Sequence, residues 1–99
     1  MRQFAYVVRP AFDSAFMATA GERERATVDQ HWEFLQELRR SERLVFAGRC
    51  FDGPFGIVVI EAESESEAES MMRSDPSVRS GVQTAELYPF KVGLMKGEA

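Results

Sequence analysis

The sequence has a single cysteine, no excess of positive charge and no long apolar run. Cys50 is the single cysteine, which excludes an internal disulfide and a cysteine-rich metal site. We interpret this side chain as a small buried apolar group rather than a reactive thiol. Lysine and arginine together number 12 against 16 acidic residues, for a net charge of −4. This balance argues against nucleic-acid binding, which depends on clustered basic side chains facing phosphates.

Patterns that would target the chain to a membrane are also missing. No apolar stretch approaches the ~20 residues needed to cross a bilayer. The first residues alternate like a strand and do not form a basic segment followed by an apolar signal core. We therefore expect a soluble, cytoplasmic protein with no membrane partner. The chain fits one domain, residues 1–99, and a domain so small buries only part of its surface unless a second copy covers it.

Four segments carry the sequence pattern of β-strands. They cover residues 4–8, 44–50, 55–62 and 82–95. The first strand is ended by Pro10, which has no N–H to donate to a sheet. The third segment is apolar on both faces, which is typical of a strand that is covered above and below. Pro89 in the last segment is expected at a sheet edge or a bulge.

Helical patterns lie between the strands. The longer helix has candidate starts at residues 19–22 and 27–30 and is expected to end within residues 39–43. At ~100° per residue, its apolar side chains share one face of the helix. This face consists of Val28, His31, Trp32, Phe34, Leu35 and Leu38. Ser64 is expected to open a second helix, and Asp75-Pro76 a short helical turn.

The order of these segments is strand, helix, strand, strand, helix, strand, which predicts an α+β protein with a ferredoxin-like antiparallel sheet. Residues 11–20 have no clear period and are expected to form an irregular loop, and Asp52-Gly53 a turn. In this fold the first and third strands are central and the helices cover one face. The other face is too apolar to be left in water. We therefore predict a homodimer that pairs two sheets face to face.

A series of different short motifs extends along almost the whole chain. The series is Arg9-Pro10, His31, Ala47-Gly48, Asp52-Gly53-Pro54-Phe55-Gly56, Glu61-Ala62, Asp75-Pro76, Gly81-Val82 and Pro89-Phe90. In order and spacing it resembles the YCII-related (YciI-like) family. One departure is that the family usually has proline after Ala-Gly in the second strand, where this chain has Arg49 and then Cys50. The family's cleft lining is therefore not carried over at these two positions.

The resemblance implies a dimeric α/β barrel with a cleft in each subunit. In the family this cleft holds a histidine and an aspartate proposed as an active-site pair, which correspond by position to His31 and Asp75. Related proteins act as dehydrochlorinases or lactone dehalogenases, and the wider fold includes muconolactone isomerases and cofactor-free monooxygenases. The resemblance therefore implies a small-molecule ligand and no cofactor.

The chemistry of these residue types agrees with a role in proton transfer. A histidine held by a carboxylate at one ring nitrogen has a fixed tautomer and is suited to taking a proton near neutral pH. Arg9, at a strand end, would suit a substrate carboxylate. The alternative is structural: His31 bonded to a backbone carbonyl, Asp75 capping its turn, and Arg9 solvated or ion-paired. We expect no metal, because a single histidine without clustered acids or thiols supplies too few ligands.

Two functional interpretations follow from the sequence. The first is an enzyme that uses His31 as a general base, oriented by Asp75, for elimination or isomerisation of a small cyclic or aromatic acid. The second is a non-catalytic module that binds a small ligand or a partner. Four aromatic residues would either line an apolar pocket or pack in the core or a dimer contact. They are Phe12, Phe16, Trp32 and Phe51.

Overall fold

The computed structural model describes residues 1–11, 22–51 and 54–97. Its elements are β1 (Arg2–Pro10), α1 (Glu22–Arg40), β2 (Leu44–Arg49), β3 (Gly56–Ala62), α2 (Glu65–Ser74), α3 (Pro76–Arg79) and β4 (Gln83–Phe90). This order confirms the predicted α+β architecture, with α3 at the helical turn expected at Asp75-Pro76. Most of the predicted 11–20 loop, with Phe12, Phe16 and Thr19, lies outside the described residues, as does the Asp52-Gly53 turn.

The four strands form one antiparallel sheet in the order β2-β3-β1-β4. As predicted, β1 and β3 are the central strands, which is the ferredoxin-like arrangement. Pro89 lies in β4, opposite Phe4. β4 is an edge strand, and proline is tolerated there because one side of the strand has no neighbouring strand to bond. A register shift between Leu44 and Phe46 marks a bulge in β2.

The last strand is shorter than predicted. It ends at Phe90, which pairs with Gln3 near the beginning of β1. Beyond this point β1 has almost no residues left to pair with, so residues 91–95 leave the sheet. The Val92 N–H instead donates to the Gln3 side-chain oxygen at 2.8 Å. The length of the partner strand, rather than the alternation within β4, therefore decides where β4 ends.

The hydrophobic core lies between the sheet and the helices. Alternate residues of the two central strands point into it, as their strand periodicity requires. The buried members are Phe4, Tyr6 and Val8 of β1, Val58, Ile60 and Ala62 of β3, Leu35 of α1, and Ala68 and Met72 of α2. Burial of each large apolar side chain contributes about 1.5–3 kcal/mol. This core holds α1 and α2 against the same face of the sheet.

The apolar face predicted for α1 is buried only in part. Leu35 is buried, and Phe34 and Leu38 pack against the core. By contrast, Val28 is 41% exposed and Trp32 59% exposed. The shared apolar face of α1 predicts that Val28 and Trp32 are buried, and this is wrong for the single subunit, because the apolar arc is wider than the surface that covers it.

Helix caps occur where the sequence predicts them. The Ser64 side chain accepts a hydrogen bond from the Glu67 N–H at 3.1 Å and begins α2. Asp75 caps the N-terminus of α3, with Pro76 at its first position. Gly81 follows α3 with φ +82°, a backbone conformation that favours glycine. These caps place Asp75 between two helices.

The face of the sheet turned away from the helices is apolar at its centre. One row across this face joins Phe46, Val59, Ala5 and Tyr88. Val59 is fully buried beneath its neighbours, whereas Phe46 and Tyr88 are 37% and 47% exposed. We call this surface the outer face. Within the described part of the chain, no helix has the length and apolarity needed to cross a membrane.

Candidate functional site

Asp75 is the centre of a buried polar cluster beside the core. Its backbone is extended between the end of α2 and the start of α3, and its N–H donates to the Met72 carbonyl. The residue is fully buried. A buried carboxylate is costly unless it is hydrogen-bonded. Its protonation state in the folded protein therefore depends on the groups that contact it.

His31 reaches this carboxylate from the middle of α1. Its Nδ1 lies 2.8 Å from Asp75 Oδ1 and 2.7 Å from Oδ2. The imidazole is 18% exposed, whereas the Asp75 side chain is inaccessible. The structure thus brings together the two residues that the sequence analysis pairs, across 44 positions of the chain. Their catalytic role remains a prediction.

Two further residues contact the Asp75 carboxylate and were missed by the sequence analysis. The Tyr6 hydroxyl donates to Oδ2 at 2.8 Å. Ser77 donates its backbone N–H to Oδ1 at 3.0 Å, and its hydroxyl oxygen lies 2.9 Å from the same atom. The contact of Ser77 could have been predicted, because this residue lies two positions after a capping aspartate. The sequence pattern around Tyr6 indicates only that its side chain faces the core.

The Ser77 hydroxyl has several neighbours. Besides Asp75, its oxygen lies 2.7 Å from Gln83 Oε1 at the start of β4 and 3.2 Å from His31 Nδ1. Four elements therefore contribute to the cluster: β1, α1, α3 and β4. Among the residues that the structure describes, no buried side-chain nitrogen or oxygen lacks a hydrogen-bond partner.

The electrostatics of the cluster favour an ionised Asp75 and a neutral Tyr6. Burial by itself raises the pKa of the Asp75 carboxyl, but the hydrogen bond and charge of His31, with the hydrogen bonds of Tyr6 and Ser77, lower this pKa below its usual value. Burial first, and then the negative charge of Asp75, raise the pKa of the Tyr6 hydroxyl. Tyr6 is therefore a donor to a carboxylate anion at neutral pH.

The contacts with Asp75 and Ser77 all engage the same ring nitrogen of His31, Nδ1. An ionised carboxylate only accepts hydrogen bonds, so a neutral imidazole facing Asp75 carries its proton on Nδ1. Nε2 then keeps a lone pair, and it makes no hydrogen bond to any other described residue. The ring is 18% exposed, and an imidazole nitrogen with a lone pair can accept a proton.

Arg9 lies away from the pair. Tyr6 and Arg9 differ by an odd number of positions along β1, so their side chains lie on opposite faces of the sheet. Arg9 forms an exposed ion pair with Glu86 at 3.2 Å, and its guanidinium carbon is 5.9 Å from the Phe55 ring centre. This environment agrees with the ion-paired alternative. A role in binding a substrate carboxylate remains a prediction.

The remaining candidate residues differ in how far they are exposed. Trp32 follows His31 in α1 and is exposed, and Phe51 is 96% exposed, so neither packs in the core of the subunit. Cys50 is a partly buried free thiol, and Arg49 beside it is exposed. The described residues contain no group of three or more His, Cys, Asp or Glu side chains that could hold a metal ion.

Two solved structures share this fold. The first is 5-chloro-2-hydroxyhydroquinone dehydrochlorinase (TftG) from Burkholderia phenoliruptrix AC1100 in complex with 2,5-dihydroxybenzoquinone, with a TM-score of 0.66 and 17% identity over 91% of this chain and 95% of that one. The second is MtbAldR, with a TM-score of 0.53 and 10% identity over 98% of this chain and 59% of that one. At these identities the likeness concerns the fold alone.

Sequence similarity identifies the family. The uncharacterised protein YjpA of Bacillus subtilis (strain 168) is 37% identical over 62 residues, which are 63% of this chain and 73% of YjpA. The family model of the YCII-related domain matches residues 4–91. This match spans β1 to β4 and includes both His31 and Asp75. The chain therefore belongs to the family of YCII-related domain proteins.

Proposed function

We propose that this protein is a small-molecule enzyme in which His31 transfers a proton during an elimination or isomerisation. The observation that supports this proposal is the contact of His31 Nδ1 with a buried carboxylate at 2.7 and 2.8 Å, which leaves Nε2 available. The fold is also similar to that of a dehydrochlorinase, TftG. The substrate class that suits this chemistry is a small cyclic or aromatic acid or phenol.

The proposed reaction begins with the neutral imidazole. Nε2 takes a proton from an acidic carbon or oxygen of the substrate, and Asp75 stabilises the imidazolium that forms. In an elimination, the electrons of the broken C–H bond form the new double bond, and chloride leaves with the electrons of the C–Cl bond. In an isomerisation, the same proton returns to a different carbon. Such a positioned base contributes about 10²–10⁴ in rate.

The decisive variant is His31→Ala, assayed against chlorinated hydroxyhydroquinones and unsaturated lactones. We expect the wild-type protein to release chloride or form an isomer, and the variant to lose about 10²–10⁴ in rate because the base is absent. Product formation is followed by chromatography and chloride release by ion-selective electrode. His31 is partly exposed, so the variant is expected to keep its fold, which circular dichroism checks.

The alternative proposal is a non-catalytic ligand-binding module. Under that alternative, a ligand raises the melting temperature of both the wild-type protein and His31→Asn, and no product forms with either. A rise in melting temperature that is accompanied by turnover in the wild type and by none in the variant supports the enzyme. Equal turnover by wild type and His31→Ala would contradict the role of His31.

We also propose that two subunits pair through the outer face. The proposal is supported by the apolar row of Phe46, Val59, Ala5 and Tyr88, since the described helices all pack against the opposite face. A second copy presents the same row across a two-fold axis, so the surface is complementary to itself. The Arg9–Glu86 ion pair lies on this face as well and would flank the apolar row in the dimer.

A further inference from the structure

We propose that Tyr6 and Ser77 tune the His31–Asp75 pair: their donors share the negative charge of Asp75 and so limit the strength of its hydrogen bond to His31 Nδ1. The inference rests on the proposed function, in which His31 is the base. It adds two positioning residues, neither of which is taken to touch a substrate. A third residue, Gln83, is proposed to hold the Ser77 hydroxyl in this role.

Asp75 is surrounded by as many hydrogen-bond donors as its carboxylate can accept. A carboxylate has two oxygens with about four acceptor positions. Four donors lie within 2.7 to 3.0 Å of these oxygens: the Tyr6 hydroxyl, the Ser77 N–H and hydroxyl, and the His31 Nδ1–H. The carboxylate is therefore saturated, and His31 competes with three other donors for its charge.

Both positioning residues are buried. Tyr6 is 0% and Ser77 1% exposed, so water does not replace either donor if the carboxylate turns away. Leaving a buried hydroxyl unpaired costs about 1–3 kcal/mol. The orientation of Asp75 is thus held from β1 and from α3 at once. The lowered pKa of Asp75, where the hydrogen bonds of His31, Tyr6 and Ser77 outweigh burial, agrees with shared charge.

The Ser77 hydroxyl has a single proton and two acceptors within reach. The Ser77 oxygen lies 2.9 Å from Asp75 Oδ1 and 2.7 Å from Gln83 Oε1, and one proton cannot serve both. Asp75 as an anion can only accept, whereas the Gln83 amide can turn either its acceptor oxygen or its donor nitrogen to Ser77. The proton therefore goes to Asp75. A half-turn of the Gln83 amide then lets its nitrogen donate to the Ser77 oxygen.

The test uses the Nδ1–H proton resonance of His31 in ligand-free protein. The chain has one histidine, so this signal needs no assignment among others, and its downfield position reports the strength of the bond to Asp75. Tyr6→Phe keeps the ring and removes the donor, so we expect the resonance to move downfield. The matched control is Tyr88→Phe, which changes the other tyrosine at an exposed position and is expected to leave the resonance unchanged.

Ser77→Ala and Gln83→Glu extend the test and do not depend on the folding of Tyr6→Phe. Ser77→Ala removes one donor and is expected to shift the resonance downfield. Gln83→Glu introduces a competing acceptor that draws the Ser77 proton from Asp75, so it should shift the resonance in the same direction. An unchanged or upfield resonance in folded Tyr6→Phe and Ser77→Ala overturns the tuning role, and no shift in Gln83→Glu overturns the proton assignment.

The shifts of the His31 resonance are independent of the test of the proposed function. The resonance is measured without substrate, so a protein that turns over nothing still shows or lacks the shifts. A purely structural role of Tyr6 would lower stability in Tyr6→Phe without moving the resonance. Conversely, loss of turnover in His31→Ala tests the base and carries no information on Tyr6. The two proposals therefore fail separately.

Discussion

At the scale of single residues, the buried carboxylate of Asp75 is expected to link stability to pH. Its pKa is lowered in the folded protein, where the His31, Tyr6 and Ser77 interactions outweigh burial, and returns to about 3.9 in the unfolded chain. A group of this kind contributes its full stability above the unfolded pKa and loses it as the pH falls through the folded pKa. The contribution of Asp75 is therefore expected in full at neutral pH and to fade below about pH 4.

The variant Asp75→Asn measures this contribution. It removes the charge and one acceptor oxygen at nearly constant size, so we expect a loss of about 1.5–3 kcal/mol for each charged hydrogen bond that is not replaced. Urea unfolding between neutral and acid pH should show that the difference in unfolding free energy between wild type and variant becomes smaller at low pH. Asp29→Asn, at an exposed position of α1, serves as the control. A gap that stays constant down to the lowest pH would contradict the linkage.

At the scale of elements, the junction of α2 and α3 positions the site. Asp75 ends one helix and begins the next, so its side chain is held by the backbone of both. α2 is in turn anchored by Ala68 and Met72 in the core and by the contact of Glu67 with Arg43. The backbone hydrogen bond from Glu63 and then the contact with Arg43 lower the pKa of Glu67.

The cap of α2 provides the test at this scale. Ser64→Ala removes the acceptor for the Glu67 N–H and is expected to cost about 1 kcal/mol of unfolding free energy. The measurement is urea unfolding at neutral pH. Ser66→Ala is the matched control, because Ser66 is exposed inside the same helix, where alanine is the better helix former. Equal stability of the two variants would show that the cap contributes nothing.

At the scale of the whole molecule, the outer face is expected to determine the oligomeric state. Ile57 lies on this face in central β3, opposite Val7 and Gly48, and is half-buried in the subunit. Ile57→Lys would place a charge in the proposed contact between sheets, where an unpaired buried charge is costly. We expect light scattering to find the wild type as a dimer and the variant as a monomer.

The control for this test is Ser70→Lys, which adds the same charge at an exposed position of α2 and should stay dimeric. Retention of the His31 Nδ1–H resonance shows that Ile57→Lys is folded. A wild-type protein that is monomeric at micromolar concentration would contradict the pairing of sheets. It would leave the chemistry of the His31 site untouched, because the pair lies on the helix side.

Local sequence patterns are enough to predict the order of the elements and the caps at Ser64 and Asp75. These features follow from short-range rules of alternation, turn chemistry and capping, which act over two to four residues. Family resemblance added the pairing of His31 with Asp75, whose contact the structure shows.

Long-range packing determines which groups surround Asp75 and which side chains stay exposed. Tyr6 and Asp75 are 69 positions apart, and nothing in the local pattern of β1 distinguishes a tyrosine that only packs from one that donates to a carboxylate. The exposure of Trp32 and the ion pair of Arg9 with Glu86 likewise depend on how far the sheet extends and on strand register. Such contacts are set by packing between distant segments, which no short-range pattern encodes.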